Sequence, residues 1–159
     1  MAIMKWFNLV ALILLLATTA RAAENIYDEN ADAKLQIKQI LAAPTNTPVI
    51  LVFGANWCGD CKMLDYAMKR GSSAALLASD FRVLKINVGR FEKNVDLAES
   101  YGVPLAQGIP AVAIISVKNE VLYVTKEGEL ANARKMGETG IYDFFKKVIA
   151  SPAIKKSQN

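Results

Sequence analysis

The stretch Val49-Ile50-Leu51-Val52-Phe53-Gly54-Ala55-Asn56-Trp57-Cys58-Gly59-Asp60-Cys61-Lys62 decides how this chain folds. Its first five residues form an unbroken apolar run, the pattern of a central strand covered on both faces. The residues from Lys62 to Lys69 are compatible with a helix. Between the two stand the only cysteines of the chain. A strand that delivers Cys-x-x-Cys to a helix start favours a thiolate, because the first N–H groups of the helix lack partners and its dipole places positive charge there. Thiolate is the nucleophilic form, so a lowered pKa gives reactivity near neutral pH. The second cysteine, one turn on, can attack a mixed disulfide made by the first and close a ring. The plainer readings are two core cysteines or a small structural clip. A structural disulfide gains most by closing a long loop, and this one would close almost none.

Composition removes other chemistries. The chain has no histidine, which excludes Cys–His and Ser–His–Asp catalysis and most zinc and copper sites. Two thiolates alone do not complete a tetrahedral zinc site; two carboxylates would have to join them. No glycine-rich phosphate loop has the required spacing. No metal and no organic cofactor is expected.

The N-terminus reads as a secretory leader over residues 1–22. Lys5 supplies a weak positive start, residues 9–17 a short apolar core, and Ala20-Arg21-Ala22 a small-x-small cleavage site. The apolar run is shorter than the roughly 20 residues of a membrane span, so no stable span is expected after cleavage. The alternative is an uncleaved anchor. The formal net charge is +4, and Lys5 and Arg21 leave with the leader, so nothing points to a nucleic-acid partner. A periplasmic or secreted location is expected, where thiol–disulfide chemistry is active.

Residues 23–150 amount to one domain, and residues 151–159, with Lys155 and Lys156, to a flexible solvated tail. Ala33, Ile37, Ile40 and Leu41 recur at helical spacing, predicting a helix over 32–43. After the cysteine helix, Gly71-Ser72-Ser73 breaks the pattern and precedes a second helical piece over 74–79. Residues 82–88 alternate as a strand, 93–101 read as a helix, and 111–117 as a strand with a hairpin partner over 121–125. Ile141, Phe144, Phe145, Val148 and Ile149 mark a closing helix. The order α-β-α-β-α-β-β-α predicts an α/β fold with a mixed central sheet and helices on both faces.

That order, with Trp-Cys-x-x-Cys-Lys after the central strand and Gly108-Ile109-Pro110 before the hairpin, resembles the thioredoxin family over residues 32–150. Within it the chain looks most like secreted bacterial members, in the style of the periplasmic domain of DsbD-type disulfide reductases. The resemblance implies that Cys58 is the exposed attacking cysteine and Cys61 the buried resolving one. It implies that Trp57 flanks the site, that Pro110 is a cis-proline against the disulfide, and that the Ile109 backbone pairs with a substrate strand. A cis X–Pro bond is uncommon, and a proline's missing N–H leaves a gap in a strand ladder where another chain can dock. The alternative is an ordinary trans proline opening a strand.

Three departures from the family bear on function. The usual Gly-Pro between the cysteines is Gly59-Asp60 here. Asp60 either stabilises the first helical turn or, with Gly59, Lys62 and Lys85, tunes the redox pair. The strand position that carries a buried acid in many reducing members is Val52, leaving the resolving cysteine without its proton acceptor. Lys85, which stands near that acid in the family, is then expected to reach water; the alternative keeps it inside with a depressed pKa, exchanging protons with Cys61. Thirdly, extra residues from Tyr101 to Gln107 precede Gly108 and could line a substrate groove.

These readings converge on a thiol–disulfide oxidoreductase that reduces disulfides in periplasmic proteins and is recharged by a dithiol electron donor. The lack of histidine between the cysteines and the charge of Asp60 both point to the reducing direction. The rivals are a non-catalytic binding module or chaperone that uses the groove around Pro110, and a metal carrier. The intact cysteine pair argues against the first, the absence of further Cys or His against the second.

Overall fold

The computed structural model describes residues 25–157; the leader expected over 1–22 lies outside them. The elements are α1 (Ala33–Leu41), β1 (Val49–Gly54), α2 (Gly59–Lys69), α3 (Gly71–Ala78), β2 (Arg82–Asn87) and α4 (Val95–Ser100). A 3₁₀ turn (Leu105–Gln107) leads to β3 (Ala111–Ile115), β4 (Val121–Val124), α5 (Ala133–Ile149) and α6 (Pro152–Ser157).

The four strands form one mixed sheet in the order β2-β1-β3-β4. β1 runs parallel to β2 and antiparallel to β3, and β3 pairs antiparallel with β4. Every residue of β1 and of β3 is buried, as their unbroken apolar sequences require of strands covered on both faces. α2, α3 and α5 pack on one another as one helical layer. α1 and α4 are tied by the Lys34–Asp96 ion pair, 2.7 Å. Asp32 caps α1 by accepting the Leu35 N–H at 3.0 Å.

Two boundaries differ from the sequence reading in ways that matter. α5 begins at Ala133, before the apolar stripe that marks its second half, and breaks at Gly137, whose φ of 64° and ψ of −176° are not helical. A glycine tolerates that conformation and kinks the helix there. Its first turn is thereby free to point Arg134 toward the cysteines. Of the tail expected over 151–159, the described residues to 157 are ordered on the domain. Pro152 opens a short helix, as proline can at a first helical position, and Ile154 is fully buried. An apolar residue at that point docks the segment, while Lys155 and Lys156 stay exposed.

Candidate active site

The end of β1 delivers Cys58 to the N-cap of α2, where its extended backbone (φ −78°, ψ 115°) lets its sulfur accept the Cys61 N–H at 3.1 Å. This is the orphan donor of a helix start aimed at sulfur. Cys58 and Cys61 are joined as a disulfide, with Cα atoms 5.2 Å apart. The order of accessibility follows the expected roles, yet Cys58 itself is only 5% exposed and Cys61 not at all. The expected exposed cysteine is thus largely covered. The Ile109 carbonyl lies 3.6 Å from its sulfur, and the Ile109–Pro110 bond is cis, with both residues buried.

Trp57 is half exposed, and its indole N–H donates to the Gly89 carbonyl at 2.8 Å. Phe91 stands edge-on to it, ring centroids 6.2 Å apart, and the Arg90 guanidinium lies 5.9 Å from the indole centroid. Phe91 has a φ of +70°, a left-handed conformation that is costly for a bulky residue. The turn after β2 carries that strain while presenting the ring to solvent at 44% exposure. The sequence reading missed Phe91; the left-handed backbone has no sequence signature in a phenylalanine. From it a groove of about 520 Å³ runs along Val95, Val103, Pro104 and Leu105 to Gly108. The segment before Gly108 therefore lines a groove that begins at Phe91, the ring packed edge-on to Trp57.

Asp60 serves two helices. It sits in the first turn of α2, and its carboxylate accepts the Arg134 backbone N–H at 2.9 Å, a cap supplied to the start of α5. Arg134 also donates from its guanidinium to the other oxygen at 3.1 Å. Partial burial pushes the Asp60 pKa up, but the hydrogen bonds and charge of Arg134 outweigh it, and the net shift is downward. The guanidinium lies against Gly59, where an added Cβ would meet it at 3.2 Å. The negative charge expected to disfavour a thiolate is thus matched by a positive one at the same loop. Lys62 is exposed on the same turn, its N–H donating to the Cys58 carbonyl at 3.1 Å.

The two charges should act on Cys58 in opposite senses. Asp60→Asn is expected to lower the Cys58 thiol pKa and Arg134→Ala to raise it, with the double variant near the parent. A unit charge about 4 Å away in water is worth about 1 kcal/mol, so each shift stays below one unit at about 1.4 kcal/mol per unit. Thiolate absorbance against pH measures all three. Single variants shifting in the same direction would show that the pair acts through the helices alone.

Behind the disulfide the structure corrects the reading of Lys85. Its ammonium is buried, only 17% of the side chain is exposed, and the nitrogen lies 3.0 Å from Asp65. Register places Lys85 opposite Val52, as the resemblance implied, but the acid comes from α2. Asp65 is 6% exposed and pairs also with Lys69 at 3.0 Å. It follows Cys61 by four residues, so the two share a helix face with Cβ atoms roughly 6 Å apart. Burial lowers the Lys85 pKa, the Asp65 charge partly restores it, and the net shift is downward. A cleft of about 240 Å³ lined by Ile26, Asp65, Lys69 and Lys85 opens beside the pair. Lys85 therefore meets a buried acid from α2 and none from Val52.

This fold and this disulfide site define a thioredoxin-like protein, and the comparisons agree. Residues 32–116 match the thioredoxin-like family, and the chain belongs to it. Thioredoxin 1 of Chlorobaculum tepidum is 36% identical over 78 residues, which cover 46% of this chain and 65% of that protein. The crystal structure of a disulphide isomerase from Xylella fastidiosa Temecula1 is 51% identical, with a TM-score of 0.76 over 80% of this chain and 98% of that one.

Proposed function

We propose that the chain is a thiol–disulfide oxidoreductase that works outside the cytoplasm in the reducing direction on disulfide-containing proteins. The observation that carries the thiol–disulfide chemistry is the Cys58–Cys61 disulfide at the start of α2, beside a cis Ile109–Pro110 bond and an exposed aromatic rim. In the dithiol form the Cys58 thiolate attacks one sulfur of a substrate disulfide. A Cys58–substrate S–S bond forms, and the other substrate sulfur leaves as a thiolate and takes a proton. Cys61 then loses its proton and attacks the Cys58 sulfur, so the internal disulfide forms and the second substrate sulfur leaves. The substrate gains two electrons, and an external dithiol protein returns them to this chain. Asp65 and Lys85 offer the Cys61 proton a route to the adjoining cleft.

The Trp57 indole reports this exchange. Fluorescence through a thiol/disulfide titration is expected to give one two-electron midpoint. A value near about −270 mV marks a thioredoxin-like reductant, and one near about −120 mV a strong oxidant. A chain with no midpoint and no disulfide turnover would be a binding module using the groove at Pro110. The 51% identity to a disulphide isomerase favours a second reading in which the first attack is the same but the substrate resolves its own mixed disulfide. Refolding of a scrambled multi-disulfide protein without net use of reductant would select it.

The location rests on the leader-like pattern of residues 1–22. A chain recovered from its native host is expected to begin at Ala23, by intact mass; one beginning at Met1 would favour an anchor.

A further inference from the structure

The segment before α1 inserts one side chain into the space behind the disulfide. Tyr27 is fully buried, and its hydroxyl has no hydrogen-bond partner among the described residues. A buried hydroxyl without a partner is costly and uncommon. Its position is held from the cysteine loop itself. Asn56 accepts the Tyr27 N–H at 2.9 Å and donates to the Tyr27 carbonyl at 2.9 Å. The same amide donates to Glu29 at 2.9 Å.

The hydroxyl lies close to a sulfur. A Cβ built on Gly54 would collide with the Tyr27 Oη and stand 2.9 Å from the Cys61 Sγ. Phenol oxygen and sulfur therefore both border the bare Cα of Gly54, and glycine is required there by this close approach. The other groups around the phenol are engaged elsewhere. The Asp65 carboxylate is held by Lys69 and Lys85, each at 3.0 Å. The Lys85 ammonium lies 5.8 Å from the Tyr27 ring centroid.

We propose that the Tyr27 hydroxyl is the hydrogen-bond donor to the Cys61 sulfur when the disulfide opens, and that it thereby weights the equilibrium toward the dithiol. This rests on the redox function proposed above. A disulfide sulfur is a weak acceptor, whereas a thiolate is charged and takes a charge-assisted bond. In the dithiol form Cys61 is a thiol, whose S–H can donate to the phenol oxygen, and once it loses its proton to attack, its thiolate accepts the phenol O–H; the hydroxyl is thus unsatisfied in the disulfide form and satisfied in the reduced form. Burial, and then the Asp65 charge, hold the Tyr27 pKa well above its ordinary value, so the proton stays on the phenol oxygen. Tyr27 donates a hydrogen bond and transfers neither proton nor electron; both electrons still come from the external dithiol.

Tyr27→Phe keeps the ring and removes only the hydroxyl. Titrated against glutathione and its disulfide with Trp57 fluorescence as the signal, the variant is expected to shift about tenfold toward the disulfide form, about 30 mV for a two-electron couple. In urea, the oxidised variant should be at least as stable as the oxidised parent, while the reduced variant should be less stable than the reduced parent. A purely structural tyrosine would move both forms equally and leave the midpoint in place, and that result overturns the proposal. A parent with no midpoint would remove the redox function and this proposal together; a parent midpoint unchanged by Tyr27→Phe removes this proposal alone.

Discussion

Cys58→Ser is expected to abolish disulfide turnover, whereas Cys61→Ser is expected to accumulate mixed disulfides through Cys58. The asymmetry follows from the helix start. Cys58 is the N-cap, its sulfur receives the Cys61 N–H at 3.1 Å, and it is the only one of the pair with any exposed surface, at 5%. Cys61 lies a turn inward, sealed behind Gly54 and Tyr27. A substrate sulfur can reach only Cys58, because Cys61 has no exposed surface. With serine at 61 the resolving nucleophile is missing and the covalent intermediate persists. Mass spectrometry after incubation with a disulfide-containing protein reads both variants. A trapped adduct on Cys58→Ser and none on Cys61→Ser would reverse the two roles.

The second large effect concerns the charges behind the disulfide. Asp65→Asn removes the carboxylate that faces Lys85 at 3.0 Å from a site where Asp65 is 6% exposed. Breaking a buried pair by deleting one partner leaves an uncompensated charge, at a cost of about 3 kcal/mol. Lys85 already titrates below the ordinary lysine range, because desolvation outweighs the attraction of Asp65. Between its folded and unfolded pKa values the unfolded chain binds more protons, so stability rises with pH through that window. Without Asp65 the folded pKa falls further and the window widens downward. Urea unfolding should therefore show the variant losing most at neutral pH and recovering part of the loss near pH 10. The pair Asp65→Leu with Lys85→Met should cost less than Asp65→Asn alone, since apolar replacements leave no buried charge. The same loss at both pH values would show that Lys85 is not the group left unpaired. The variant should also resolve the Cys58 mixed disulfide more slowly, with the first attack unchanged, as measured by rapid mixing.

Asp65 and Lys85 also show how far the sequence could be read. Periodicity placed Lys85 on a strand and Asp65 on a helix, but nothing local says that the two meet. Without that contact, Val52 read as a missing acid and Lys85 as a surface residue. Arg134 was missed for a related reason. The apolar stripe that marks α5 begins only at Ile141, after the break at Gly137, so nothing in the sequence placed Arg134 on a helix. Its partner Asp60 is 74 residues away in sequence. Tyr27 precedes every periodic segment and carries no motif; only the Asn56 clamp shows why it is inside.

The sequence by itself determined the chemistry of the site and the order of the elements. An apolar run before Cys-x-x-Cys, a helix after it and Gly-Ile-Pro ahead of a hairpin are local patterns, and strand burial, helix capping and the helix dipole act over a few neighbouring residues. The tertiary structure alone decided which charges surround the sulfurs, how far Cys58 is covered, and that the last segment docks through Ile154. Hydrophobic periodicity states which side of an element is buried. It does not state what lies opposite, because that depends on strand register and on how helices cross the sheet, and both are settled only when the whole core packs.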